Sequence, residues 1–170
     1  MKKSICVILC LLLIISVSGC SSAPQKIREP VTYYYRIRNI EYDAPNGIIC
    51  AEVREAYGNA NNYTYLVEQY LRGPLDGSYT SPFPAGTTLV HLDFLKDTVL
   101  VVLSSHISLL SGSDLSIAAT CLAKTVLEMT GMKEVKISSQ GDLLNGQESI
   151  TISLNDFVMV DDYVLTGGND

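Results

Sequence analysis

Hydrophobic residues recur along this chain at two periods, and the places where one period gives way to the other mark out its elements. Between Thr87 and Leu95 the apolar side chains Val90, Leu92 and Phe94 fall at every second position, and between Thr98 and Ser105 so do Val99, Val101 and Leu103. Successive side chains of a strand leave on opposite faces, so each run predicts a strand with one packed side, and Lys96-Asp97 is the turn between them. The opposite faces differ. His91 and Asp93 are polar where Leu100 and Val102 are apolar, which predicts partial cover over that side.

Two earlier runs follow the same rule. Val31 to Arg38, with Tyr33, Tyr34 and Tyr35 at its centre, is rich in β-branched and aromatic residues and predicts a first strand. Asp43-Ala44-Pro45-Asn46-Gly47 has turn composition, and Ile48 to Val53 predicts the returning strand. The period then changes. Tyr63, Leu66, Val67, Tyr70 and Leu71 follow helical spacing after a loop whose asparagines can cap it, and Gly73-Pro74 ends the helix.

Leu75 to Gly86 carries two glycines and two prolines and predicts a long shaped loop. A second helix is predicted from Ser113-Asp114 to Thr130. Its buried stripe is Leu115, Ala118, Ala119, Leu122, Val126 and Met129, widened by Ile117, Cys121 and Leu127, and its polar stripe is Ser116, Thr120, Lys124 and Glu128. Lys133 to Ser139 and Glu148 to Leu154 predict two more strands, and Asp156 to Leu165 is apolar enough to dock. The order of elements predicts an α+β domain, a small mixed sheet with two helices packed on one face.

The first twenty residues decide where this domain works. Met1-Lys2-Lys3 is a positive n-region and Ile5 to Val17 an apolar run too short for a full membrane span, which predicts a secretory leader. Val17-Ser18-Gly19-Cys20 resembles the lipobox of bacterial lipoproteins. That resemblance implies cleavage before Cys20 and acylation of its thiol, with palmitate among the acyl chains. The predicted organisation is a lipoprotein signal peptide over 1–19, a flexible tether over 20–30, the folded domain over 31–165 and a tail over 166–170. The mature protein is expected on the extracytoplasmic face of a cell membrane, held by lipid on Cys20.

Charge narrows the partners. The chain carries −6 at neutral pH, and −8 once Lys2 and Lys3 leave with the leader. No basic cluster exceeds Arg36-Ile37-Arg38, so nucleic acid is excluded as a partner. With Cys6 and Cys10 in the leader and Cys20 lipidated, Cys50 and Cys121 remain. A disulfide between them is arithmetically open, and two buried thiols is the reading we take.

Motifs for chemistry are sparse. Tyr33, Tyr34, Tyr35, Tyr79 and Phe83 offer an aromatic platform for cell-wall glycan or a small solute, with the 75–86 loop beside it. Ser104, Ser105 and His106 adjoin, but neighbours on a strand point apart, and the carboxylate pairs Glu52 with Glu55 and Asp93 with Asp97 have no supporting motif. Asp142, Asn145 and Glu148 are closely spaced oxygen donors without a calcium-loop pattern. His91 and His106 do not make a metal site, and we expect no enzyme, no metal and no cofactor.

From Tyr63 to Gly141 the sequence resembles the GerMN domain, the module named for the sporulation and spore-germination protein GerM. The likeness is carried by Tyr70-Leu71-Arg72-Gly73-Pro74, by Ser81-Pro82-Phe83-Pro84-Ala85-Gly86-Thr87, by Val102-Leu103-Ser104-Ser105, and by Ala123 to Thr130 followed by Gly131-Met132-Lys133-Glu134-Val135-Lys136-Ile137. Lys96-Asp97-Thr98 stands where the family usually has glycine. The family is similar in layout to ring-building folds, with two helices on one side of a three-stranded sheet. The resemblance implies a non-enzymatic envelope protein that works by contact with another protein or by self-assembly, in sporulation or spore germination.

Overall fold

The computed structural model describes residues 29–38 and 48–156. The leader, Cys20, most of the tether, the 43–47 turn, the apolar segment beyond Asp156 and the 166–170 tail lie outside the described residues.

Strand β1 (Pro30–Ile37) pairs antiparallel with β2 (Ile49–Glu55), placing Tyr33 opposite Glu52 and Tyr35 opposite Cys50. Helix α1 (Tyr63–Leu71) follows, and the Asn62 side chain accepts the Tyr65 N–H at 3.1 Å, as the asparagine-rich loop predicts. Tyr79 and Thr80 form a two-residue β3 on the far edge of β1, completing a sheet of order β2-β1-β3. A second sheet, of order β4-β5-β6-β7, holds β4 (Leu89–Leu95), β5 (Thr98–Leu103), β6 (Glu134–Ser139) and β7 (Ile150–Ser153). Helix α2 (Gly112–Thr130) crosses over between the parallel strands β5 and β6, after a short 3₁₀ turn at Ser105–Leu109.

This is the predicted α+β class, two helices against small mixed β structure, with the strands divided between two sheets. The sheet behind the helices has four strands where the resemblance implied three. Val99, Val101 and Leu103 of β5 and Val135 and Ile137 of β6 are fully buried at its centre.

Strand β4 departs from its predicted alternation. Its pairing slips between Leu89 and His91, so Leu89 lies opposite Leu103, Leu92 opposite Val101 and Phe94 opposite Val99. The inward set is therefore Leu89, Leu92 and Phe94, and Val90 is the extra residue of a bulge and is exposed. Phe94 keeps its face by packing on Tyr63 of α1, ring centres 5.5 Å apart. At the β4–β5 turn Lys96 adopts φ +54°, the left-handed conformation that glycine would take more easily.

The start of α2 also differs from the prediction. The helix begins at Gly112, ahead of Ser113-Asp114, and Ser111 in the capping position makes no side-chain bond. Asp114 sits in the first turn, where a carboxylate suits the helix dipole, and meets Arg36 of β1 at 3.1 Å. The broad apolar surface of α2 has a direct cause, because the helix packs against β1 as well as against β6 and β7. Thr125, which helical spacing did not single out, is fully buried on the β1 side and accepts the Tyr34 N–H at 2.9 Å. Helix α2 thus closes the stretch of β1 edge that the short β3 leaves uncovered.

Buried phenols and a buried thiol make this core sensitive to alkali. Burial raises the Tyr35 and Tyr70 hydroxyls above their ordinary range and pushes the Cys121 thiol up to about 12. Each folded value exceeds the unfolded one. The stability they contribute is therefore whole below about pH 9 and lost as pH rises through the folded values, at roughly 1 kcal/mol per group for each pH unit above its unfolded value. Urea midpoints should be level from pH 7 to 8.5 and fall clearly by pH 11. A flat profile to pH 11 would contradict the placement of these groups.

Candidate functional site, a groove between β2 and α1

On β2 the side chains of Cys50, Glu52 and Arg54 share the face that carries Tyr33 and Tyr35 of β1. Two charged residues on the packed side of a strand require partners. The Arg54 Nε donates to Glu52, and its Nη2 donates to the Tyr35 hydroxyl at 2.9 Å and to the Gly73 carbonyl at 2.8 Å. Glu52 in turn accepts the N–H groups of Leu75 and Asp76 at 3.1 and 3.2 Å. The guanidinium lies 4.7 Å from the centre of the Tyr33 ring. This network fixes the chain leaving α1 against β2.

Above the network runs an open groove of about 990 Å³. One wall is continuous from Glu52 to Tyr57, and the other is formed by Tyr65, Leu66 and Gln69 of α1 with Leu75 and Asp76. Its apolar rim stands in solvent, Leu75 being 80% and Val53 66% exposed, with Tyr57 and Tyr65 also exposed. Among the described residues its lining holds three carboxylates, Glu52, Glu55 and Asp76, and the guanidinium of Arg54. Hydrogen bonds from the Ser78 N–H and hydroxyl lower the Asp76 acid below its ordinary range, so it is charged at neutral pH.

The expected aromatic platform is not assembled. Tyr33, Tyr35 and Phe83 are buried around Tyr70, whose ring stacks on Tyr33 at 5.8 Å and meets Phe83 edge-on at 5.7 Å. Tyr34 points the other way, its hydroxyl donating to Glu128 at 2.5 Å beneath Lys124, and Tyr79 is half-buried in β3. The 75–86 loop nonetheless shapes a second groove of about 740 Å³, lined by Ser81, Phe83 and Gly86 together with Glu68 of α1 and Arg72 at its C-terminal cap.

Ser104 and His106 meet, and it is Ser105 between them that the strand argument turns away. β5 ends at Leu103 and the backbone turns into the 3₁₀ segment, bringing Ser104 Oγ within 3.4 Å of His106 Nδ1. Ser104 Oγ also accepts the Thr88 N–H at 3.0 Å, and the imidazole lies against Gly86, so the pair pins the 86–88 loop. Gly86 holds φ +88°, and a Cβ there would lie 3.1 Å from His106 Nε2. We expect Gly86→Ala to cost about 1–2 kcal/mol, chiefly from the left-handed backbone. A denaturation midpoint unchanged by that substitution would contradict the loop geometry.

The other candidates are scattered. Glu52 and Glu55 sit in different settings, one in the Arg54 network and one exposed, while Asp97 pairs with Lys133 at 2.9 Å and Asp93 lies within 4.0 Å of His91. Asp142, Asn145 and Glu148 are exposed around a turn closed by Leu144 and Gln147. Among the described residues no cluster of three metal-ligating side chains forms. Cys50 and Cys121 are both free thiols, Cys121 buried and Cys50 half-buried, which corrects the expectation that both are buried.

Comparison with known proteins fixes the class. The family described as Germane, sporulation and spore germination, matches residues 32–145, and this chain belongs to it. Among solved structures it is similar to the first GerMN domain of the sporulation protein GerM from Bacillus subtilis, with TM-score 0.55 and 20% identity over 74% of this chain and 99% of that one. The tandem GerMN domains of the same protein match with TM-score 0.55 and 15% identity, over 78% of this chain and 48% of that one. A candidate lipoprotein of Clostridium perfringens matches with TM-score 0.48 and 18% identity, over 79% and 95% of the two chains, a score at which the likeness adds nothing to the fold. No curated protein matches the sequence.

Proposed function

We propose that this chain is a lipid-anchored, non-enzymatic module on the extracytoplasmic face of a cell membrane, making protein contacts in the cell envelope during sporulation or spore germination. The observation that carries the reading is the family match across 32–145, most of the folded domain. The Val17-Ser18-Gly19-Cys20 motif supports the anchor, and the two open grooves support contact with polypeptide. The polar pairs also favour binding over catalysis. Ser104, His106, Glu52 and Arg54 each hold backbone or a neighbouring side chain in place.

Crosslinking in cells of the native host tests this reading. The full chain should give a discrete adduct of higher mass in the envelope fraction, concentrated in sporulating or germinating cells. Adducts absent at every stage, together with normal sporulation and germination in a deletion strain, would refute it.

A further inference from the structure

We propose that strand β4 is a self-pairing edge, by which a second copy of this chain extends the β4-β5-β6-β7 sheet across a two-fold axis at Leu92. β4 is the end strand of that sheet, and among the described residues no strand pairs with its outer side. Leu95 and Thr98 close the two-residue turn to β5, so Leu95, Asp93 and His91 direct their backbone groups at β5. Alternation leaves Leu92 and Phe94 with N–H and C=O directed at the open edge. In keeping with this, the Phe94 N–H is taken up by a side chain, donating to Asp93 Oδ1 at 2.8 Å.

The strand complements itself. Read from either end, Leu89-Val90-His91-Leu92-Asp93-Phe94-Leu95 has two apolar residues, a polar one and then the central Leu92. Antiparallel pairing about Leu92 sets His91 opposite the second copy's Asp93, Asp93 opposite the second copy's His91, and Val90 opposite the second copy's Phe94. His91 and Asp93 occupy non-hydrogen-bonded positions of this new ladder, where opposite side chains come closest, and an imidazole can donate to a carboxylate whether neutral or protonated. Both side chains are 62% exposed, and within one chain they come no closer than 4.0 Å. The register is selective. A shift of two residues sets His91 on His91 or Asp93 on Asp93, and a shift of one sets outward backbone groups against inward ones.

The bulge at Val90 ends the regular edge and confines the shared ladder to residues 90–94 of each copy. Its apolar part is Leu92 on its own copy, flanked by the exposed Val90 and Phe94. Because the same patch serves both copies, the contact closes at two. This partner goes beyond the proposed envelope role and does not depend on it, since every residue involved lies in the folded domain.

Disulfide trapping in the full chain with its own leader tests the register. Two tagged forms, one His91→Cys and one Asp93→Cys, both with Cys50→Ser, are co-expressed and mildly oxidised in whichever cell fraction holds them. The two tags should be joined in one species, because these positions face each other at about 4.5 Å between Cα atoms. Leu95→Cys with Asp93→Cys, comparably exposed but about 13 Å apart in the same dimer, should yield about tenfold less. Sedimentation of the full chain without these cysteines reads the polar pair itself. His91→Asp should weaken self-association about tenfold, and His91→Asp with Asp93→His should restore it. A chain that stays monomeric, equal trapping from both cysteine pairs, or a double variant no better than His91→Asp would overturn the proposal, as would trapping on other proteins in place of the second tag. Loss of the lipid anchor or normal sporulation in a deletion strain leaves these readings unchanged, so the envelope role and the self-pairing fail separately.

Discussion

Replacing Arg54 with methionine should destabilise the domain by about 3–5 kcal/mol, the largest effect we expect from a single change in the folded part. The cause lies in what the substitution leaves behind. Glu52 is only 10% exposed at its side chain, and without the guanidinium its carboxylate would keep the Leu75 and Asp76 N–H groups but lose its countercharge. The Tyr35 hydroxyl and the Gly73 carbonyl would lose a partner as well. Removing both charges should be milder. Arg54→Met with Glu52→Gln keeps an acceptor for the loop N–H groups and should recover part of the loss. Urea denaturation at neutral pH reads both variants. A cost below 1 kcal/mol for Arg54→Met would show that the pair is solvated and that the chain leaving α1 is fixed by something else.

The same network marks where the sequence is legible and where it is not. Every strand and helix except the two-residue β3, which lies inside the predicted 75–86 loop, could be placed from local period, because the side chains that make a strand or a helix face lie within a few residues of one another. The bulge at Val90 could not, since Val90, Leu92 and Phe94 alternate without a break and only the pairing with β5 shows that Leu89 replaces Val90 on the inner face. Thr125 was hidden for a similar reason. It looks like an interruption of the apolar surface of α2 until the open edge of β1 arrives with an N–H to satisfy.

Ser104 and His106 were passed over by the argument that adjacent strand residues point apart, which bears on Ser105 and not on a pair two residues apart. The aromatic run misled through composition. Tyr33 and Tyr35 are interior residues whose hydroxyls need partners, and the polar positions Glu52 and Arg54 on the paired strand were the available sign that this face is enclosed. The groove had no local signature, since its walls come from 52–57, 65–69 and 75–76.

Substituting Cys20 with alanine should transfer the protein from the membrane fraction to the soluble one almost completely. Two acyl chains of about 14 methylenes each, at ~0.8 kcal/mol per buried CH₂, supply roughly 20 kcal/mol of membrane affinity. The domain is a poor substitute, because the charge of −6 on the whole chain, or −8 if the leader is cleaved before Cys20, disfavours an anionic bilayer surface. The wild-type chain should therefore stay in the pellet through a wash in about 1 M salt, where electrostatic attachment is screened to a few ångström. The alanine variant should appear in the supernatant without any salt. Labelled palmitate should enter the wild-type chain and not the variant, which separates loss of the lipid from loss of export. A Cys20→Ala protein that stays in the pellet through the salt wash would place the membrane attachment elsewhere in the chain.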